Sequence, residues 1–297
     1  MARLSQIQQL EKYNKIRNCF INSDKTVFSI SDIKFTLDKA ITYRYVHYKT
    51  SLRKFIEYIR KNKILADVYL NFPNRPVARF FLNEPNIFDI AQSIGSDCYF
   101  THYSALFLHN LTDNIPKIIY INKEQSEKQN KTTDLKPVDL LKAFHTEPRI
   151  SKNIALYEDY KICLLNGKYT NQLGVETKTN ESLNINKIKV TGIERTLIDI
   201  SVSPHYSGGV SEVLTAYKRA KGKFSIKKLA QMLNKLDYIY PYHQVIGFYL
   251  EKVGYKENEL KIFENMGVKN KFFITRKIED KNREFSNRWQ LYYPKSL

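Results

Sequence analysis

Apolar residues recur at helical spacing from the start of the chain. Leu4, Ile7, Leu10, Ile16 and Phe20 stand between Gln, Lys and Arg, which predicts an amphipathic helix over about residues 4 to 21, ended by Asn22-Ser23-Asp24. Val27-Phe28-Ser29-Ile30 reads as a short strand. Ser31-Asp32 then caps a second helix through about Ala40, with Ile33 and Leu37 facing inward. Thr50-Ser51 opens a third helix whose apolar positions Leu52, Phe55, Ile56 and Ile59 follow the i, i+3, i+4, i+7 template. Its remaining surface is basic: Arg53, Lys54, Arg60 and Lys61, with Glu57 among them. Two apolar runs, residues 64 to 70 and 77 to 82, flank Asn71-Phe72-Pro73-Asn74-Arg75-Pro76, the pattern of a hairpin. Helix, short strand, helix, basic helix and hairpin within about 85 residues is the element order of a winged helix. In helix-turn-helix proteins the helix after the turn enters the major groove with its N-terminal residues nearest the bases.

Beyond Asn86 the pattern changes. Residues 87 to 91 suggest a short helix, residues 98 to 106 lead into another, and Ile118-Ile119-Tyr120-Ile121 has the composition of a buried strand. Residues 122 to 137 are nearly all polar and read as a solvated connection. Residues 138 to 190 alternate short apolar runs with turns, Asn166-Gly167 being a hairpin signal, so this part is expected to be mostly β. From Thr191 the periodicity turns helical. Thr191-Gly192-Ile193-Glu194 reads as a capping box before Leu197-Ile198. Gly208-Gly209 precedes a helix carrying Val213, Leu214 and Tyr217, and Ser225 starts another with Ile226, Leu229, Met232, Leu233 and Leu236. A further helix runs from about Gln244 to Val253, and residues 271 to 274 and 289 to 293 look like closing strands. No internal repeat is visible. The expected class is α+β: an N-terminal winged helix-turn-helix over residues 1 to 85, a mixed α/β middle domain over 86 to 190, and a mainly helical domain over 191 to 297.

At 297 residues with 42% hydrophobic content, the chain has apolar material for more than one core. Its three cysteines, Cys19, Cys98 and Cys163, are odd in number and form no CxxC pair, which speaks against a disulfide framework or a zinc site and fits a reducing cytoplasm. The sequence contains no apolar stretch of about 18 residues, so no membrane partner is expected. The net charge of +18 attracts polyanions, although an AT-rich coding bias would also inflate Lys. The distribution of charge decides between them. Between Ile41 and Phe80, the cations Arg44, Lys49, Arg53, Lys54, Arg60, Lys61, Lys63, Arg75 and Arg79 face only Glu57 and Asp67, a net of +7. Tyr43, Tyr45, His47 and Tyr48 are interleaved with them, suited to phosphate contacts, while Arg53 or Lys54 is placed to read guanine edges. The candidate DNA contacts are Arg44, Lys49, Thr50, Ser51, Arg53, Lys54, Arg60, Lys61, Arg75 and Arg79. The plainer reading is an ordinary solvated helix face.

Catalytic patterns are weak. His47, His102, His109, His145, His205 and His243 form no HxxxH or HExxH arrangement, and a core or surface histidine explains each. Ser104 and Ser207 lack GxSxG, and Gly208-Gly209 lacks any phosphate-loop context. Glu194 and Asp199 would serve a metal nuclease only if they converged, and five-residue helical spacing holds them about 140° apart. No catalytic residue, metal or cofactor is expected. The aromatic segments 238 to 243 and 289 to 294 fit packing or a protein partner better than strand stacking.

Two segments carry a family resemblance: Tyr99-Phe100-Thr101-His102-Tyr103-Ser104-Ala105-Leu106 followed by Leu111-Thr112 and Ile115-Pro116, and Val190-Thr191-Gly192-Ile193-Glu194-Arg195-Thr196-Leu197-Ile198-Asp199. With them the chain resembles the AbiEi-type antitoxins of bacterial type IV toxin–antitoxin (abortive infection) systems. Its tail, including residues 240 to 244 and 291 to 295, looks like a narrower subgroup of defence-associated regulators. The resemblance implies a cytoplasmic transcriptional autorepressor that binds inverted repeats of double-stranded promoter DNA. Its C-terminal region would counter a nucleotidyltransferase-type toxin encoded nearby, without a stable complex. Some relatives carry a nuclease domain after the Arg-Thr-Leu segment, a reading given less weight here than the DNA-binding one. The alternatives are a non-catalytic nucleic-acid-binding scaffold subunit of another antiviral defence assembly and, behind it, a metal-dependent nuclease.

Overall fold

The computed structural model describes residues 6–127, 144–180 and 185–297. Leu4, the polar stretch from residue 128 to 137, and residues 138–143 and 181–184 of the expected β region lie outside them. The chain is a mixed α+β structure with three sheets among the described residues.

The N-terminal part runs α1 (Gln6–Ile21), β1 (Val27–Phe28), α2 (Ile30–Thr42), α3 (Leu52–Lys61), β2 (Ala66–Asn71) and β3 (Pro76–Phe81). The strands form an antiparallel sheet in the order β1-β3-β2. Helix α2 begins two residues earlier than the sequence pattern suggests. Ser29 is its N-cap: its hydroxyl accepts from the Asp32 amide at 3.2 Å, while the Asp32 carboxylate accepts from the Ser29 amide at 2.8 Å. Asp32 is thus the return arm of a capping box rather than its start. The amphipathic pattern of α1 is used only in its second half. Ile16 and Phe20 are buried, whereas Ile7 and Leu10 are 71% and 61% exposed.

One core joins α1, α2 and α3 to the sheet through Ile16, Phe20, Ile33, Leu37, Phe55, Ile59 and Phe80. Burying side chains such as Phe55 and Ile59 contributes roughly 2 kcal/mol each. The alternation of β3 sends Phe80 into this core and Phe81 into the next. Leu70 and Phe72 at the far end of the hairpin join Phe81 there, so one face of the hairpin is packed against the middle of the molecule.

That middle is a mixed sheet of β4 (Tyr99–Phe100), β5 (Ile118–Asn122), β6 (Ile154–Tyr157), β7 (Tyr160–Leu165), β8 (Val175–Asn180) and β9 (Ile185–Thr191) in the order β6-β7-β5-β4-β9-β8. The pairs β5/β7 and β4/β9 are parallel, and the rest are antiparallel. Helices α4 (Ile87–Gln92) and α5 (His102–Leu108) accompany it. Asn166-Gly167 is not a hairpin. The reversal lies at Glu158-Asp159 between β6 and β7, where Glu158 takes φ +48°. Gly167 instead donates its amide to Asn122 Oδ1 at 2.8 Å, and a Cβ on Gly167 would sit 2.8 Å from that same oxygen. Close approach, not turn geometry, requires this glycine.

The remainder packs α6 (Ile193–Val202), α7 (Val210–Ala220), α8 (Ile226–Leu236), α9 (Tyr242–Lys252) and α10 (Glu257–Glu264) around a core closed by a small sheet of β10 (Phe272–Phe273), β12 (Leu291–Pro294) and β11 (Arg283–Ser286). Trp289 is fully buried, with its indole N–H donating to Glu251 at 2.8 Å, so this aromatic tail is packing. No helix among the described residues is long and apolar enough to cross a membrane.

Candidate nucleic-acid interface

Helix α3 is built to hold its basic face outward. Ser51 caps it, accepting from the Lys54 amide at 3.4 Å, and Phe55 and Ile59 anchor the opposite face. Arg53, Lys54, Glu57 and Lys61 are exposed as a result. Arg53 pairs with Glu57 at 3.0 Å, with 89% and 59% of their side chains exposed, an i,i+4 contact worth little in water. Arg44, Lys49, Lys54, Lys61 and Arg75 are exposed and ion-pair with no acidic side chain among the described residues.

The turn between α2 and α3 is aromatic and basic together. Tyr43 and Tyr45 stack with ring centres 5.6 Å apart, and His47 lies 4.5 Å from Tyr48. Lysines of α1 brace the region, Lys15 over Tyr45 at 5.8 Å and Lys12 over Tyr58 at 4.9 Å. Arg44 takes φ +57°, the left-handed turn that reverses the chain after α2. His47 Nδ1 accepts from the Lys49 amide at 3.2 Å, and Thr50 donates its amide to the His47 carbonyl at 2.9 Å. A groove of about 680 Å³ between α1 and this turn is lined by Lys12, Lys15, Arg44 and the turn tyrosines.

Several expected contacts have other occupations. Arg79 is 7% exposed. It donates to both the carbonyl and the hydroxyl of Ser93, to Ala78 O and to Ile94 O, tying the hairpin to the carbonyl end of α4. Desolvation lowers its pKa. It is removed from the set of DNA contacts, because a buried guanidinium spent on carbonyls cannot reach a phosphate. Arg60 grips Asp67 at 3.1 and 2.7 Å and donates to the Tyr69 hydroxyl at 2.6 Å, which, with Tyr69 first and then Asp67, raises its pKa. It fastens α3 to β2, and Asp67 neutralises it. Ser51 is occupied as a cap. Arg75, at the hairpin tip, lines a cleft of about 940 Å³ shared with Lys123, Lys187 and Lys189 of the middle sheet. Pro73, Asn74, Arg75 and Pro76 of the tip are themselves exposed.

A second cluster joins Tyr99 and Thr101 to Arg195 and Asp199. Thr101 donates to Asp199 at 2.9 Å, and Arg195 donates to the other oxygen of Asp199 at 2.8 Å. Arg195 also donates to Leu173 O at 2.6 Å and Thr170 Oγ1 at 3.2 Å. Thr170 and Tyr99 in turn donate to Glu124. Sequence reading missed the meeting of Thr101 with Asp199. The i,i+4 spacing of Arg195 and Asp199 signals only their own pair. Glu194 is elsewhere: it pairs with Lys228 at 3.0 Å and accepts from the Ser225 amide. The expected capping box is absent, since Gly192 is the N-cap and Thr191 belongs to β9, where its carbonyl accepts from the Thr196 hydroxyl at 2.9 Å. Glu194 and Asp199 thus serve separate contacts, and no group of His, Cys, Asp and Glu that could hold a metal occurs among the described residues.

His47 and His145 are exposed, whereas His102, His109, His205 and His243 are half-buried in distinct surroundings. His109 Nε2 lies 2.7 Å from Thr191 O. His102 takes φ +52° at the start of α5, its Nδ1 is buried without a hydrogen-bond partner, and burial lowers its pKa to about 4.

No family model and no curated protein matches this chain. A crystal structure of the RV2827C protein from Mycobacterium tuberculosis superposes with a TM-score of 0.58 at 12% identity, covering 98% of this chain and 92% of that one. Likeness at that identity is one of fold.

Proposed function

We propose that the chain is a DNA-binding transcriptional regulator whose N-terminal part works as a winged helix, with α3 as the helix that enters the major groove. The element order and the β1-β3-β2 sheet support this reading. The observation that carries it is the capped, outward end of α3, where Arg53 and Lys54 project beside the exposed Lys49 and Arg44 of the preceding turn. In this form Arg53 and Lys54 read base edges, Lys49, Lys61 and Arg44 take phosphates, and Arg60 and Arg79 hold the scaffold. The resemblance to AbiEi-type antitoxins extends the proposal to an autorepressor and antitoxin, with the C-terminal helices serving the second role.

The test is a gel shift with the chain's own upstream promoter fragment across a salt series. A sequence-selective shift that weakens with salt is expected. Arg53→Ala should relax base preference by about 1–3 kcal/mol at one position. Lys61→Ala should weaken all duplexes alike and flatten the salt slope by about one. No shift overturns the proposal. A shift without any preference favours the scaffold reading.

A further inference from the structure

The 24 residues from Val213 to Leu236 carry seven lysines and arginines and no acidic residue, the same net +7 that the α3 region spreads from Ile41 to Phe80. They cover most of α7, the connection 221–225 and all of α8, which pack on the C-terminal core. Three of the seven cations are occupied. Arg219 pairs with Asp113, Lys228 pairs with Glu194 at 3.0 Å, and Lys221 donates to Val253 O and Gly254 O at 2.7 and 2.9 Å. Lys218, Lys223, Lys227 and Lys235 are exposed and form no ion pair among the described residues.

Helix α8 repeats the layout of α3. Each opens on a serine cap, Ser51 accepting from the Lys54 amide at 3.4 Å and Ser225 from the Lys228 amide at 3.3 Å. Cations stand two, three and ten residues after the cap, Arg53, Lys54 and Lys61 in one helix and Lys227, Lys228 and Lys235 in the other. Phe55 and Ile59 in α3, and Leu229 and Leu233 in α8, are buried four and eight residues after it. That stripe turns Lys227, Lys228, Gln231, Asn234 and Lys235 to solvent, and all five are exposed. Lys168 donates to Leu236 O and Asp237 O, each at 3.1 Å, and so adds a cation at the far end of α8. Solvated surfaces ordinarily intersperse both signs of charge, whereas this helix face holds cations and two amides only.

Lysines flanking two amides fit a polyanion with hydrogen-bonding edges. The lysines neutralise phosphates, and Gln231 and Asn234 have the side chains that match the N6 and N7 edge of adenine. At 11 residues α8 is about 16 Å long, enough to cross a DNA major groove about 12 Å wide. The major groove of an RNA duplex is too narrow for side chains to read. Helices α3 and α8 are seated on separate cores, with the core of the middle sheet as a third, so each has its own support. We infer that α8 is the centre of a second duplex-DNA surface, by which one chain holds a duplex segment other than the one assigned to α3. It carries this role whether or not α3 reads a promoter.

The experiment measures binding of the full chain to a random-sequence duplex across a salt series, and capture of a labelled duplex by a bead-bound one. Wild type should join the two duplexes. Arg53→Ala/Lys54→Ala should still bind duplex but no longer join two. Lys223→Ala/Lys227→Ala/Lys235→Ala should also lose joining. Added to the α3 variant, the three alanines should weaken duplex binding by about tenfold or more and flatten its salt slope by about three, one for each lysine. Arginine at the same three positions should preserve joining, and melting should be unchanged throughout, because all three side chains are exposed. No joining by wild type, joining that survives the three alanines, loss of all duplex binding in the α3 variant, or a duplex RNA bound as tightly as DNA overturns the assignment.

Discussion

Replacing Asp199 by alanine isolates what holds α6 to the middle sheet. Asp199 and Arg195 are each 6% exposed, and the carboxylate is the one charge that answers the guanidinium among its contacts with Leu173 O and Thr170. Truncation leaves a buried cation with neutral acceptors only and strips the Thr101 hydroxyl of its acceptor. Breaking a buried pair from one side costs about 3–5 kcal/mol, and the Thr101 loss overlaps with it, so about 4 kcal/mol is expected. At ~2–4 °C per kcal/mol for a domain of this size, the melting temperature should fall by roughly 10 °C. The assay is thermal and urea unfolding of wild type, Asp199→Ala, Arg195→Met and the double variant. Removing both charges should recover most of the loss, because the penalty lies in the unpaired ion and not in the missing bond. The exposed Asp113–Arg219 pair is the control, and Asp113→Ala should leave the melting temperature unchanged. A loss under about 1 kcal/mol for Asp199→Ala, or a double variant no better than the sum of the singles, would refute this reasoning. So would a Mg²⁺-dependent nuclease activity abolished by Asp199→Ala in a chain that still melts normally.

Arg79→Ala should lower stability by about 3 kcal/mol through the loss of its carbonyl and hydroxyl contacts, yet leave the salt slope of DNA binding unchanged, as read by urea unfolding beside gel shifts. Gly247→Ala should cost about 1–3 kcal/mol, because the new Cβ would meet the Trp289 ring at 2.2 and 2.3 Å, and tryptophan emission should shift with it. His102, His109, His205 and His243 all have pKa values lowered by burial. Each binds its proton more readily when unfolded, so their contribution is present above about pH 6.5 and is lost as pH falls below it, down to about 4 for His102. Urea midpoints measured from pH 7.5 downward should decline through that window, and His102→Asn should reduce the decline. Asp32, Glu124 and Glu194 have pKa values lowered by their hydrogen bonds and, for Asp32 and Glu194, by lysine partners. Their contribution is lost at more acid pH, as it falls from the unfolded carboxylate value toward the lower folded one.

The local grammar of the chain was legible where one element carries its own signal. The apolar template of α3 and its Ser51 cap, the two runs of the hairpin, and the helices opened by Gly208-Gly209 and Ser225 all appear where the pattern places them. The same grammar failed where a residue's partner lies on another element. Asn166-Gly167 carries a hairpin signal, yet Asn122 from β5 claims the glycine amide. Glu194 stands at the capping distance from Thr191, yet Lys228 on α8 takes its carboxylate and β9 takes the threonine.

The candidate interface divides along the same line. Sequence alone concentrated charge between Ile41 and Phe80 and set Arg53 and Lys54 on the polar side of an amphipathic helix, because helical periodicity is a property of neighbours within a few turns. Tertiary structure alone decided which cations remain available. Arg79 is spent on Ser93 and Ile94 and Arg60 on Asp67 and Tyr69, while Arg75 stays exposed at the rim of a cleft. Burial and pairing depend on what folds against a side chain from far along the chain, as when Thr101 meets Asp199 across 98 residues, and no local period encodes that meeting.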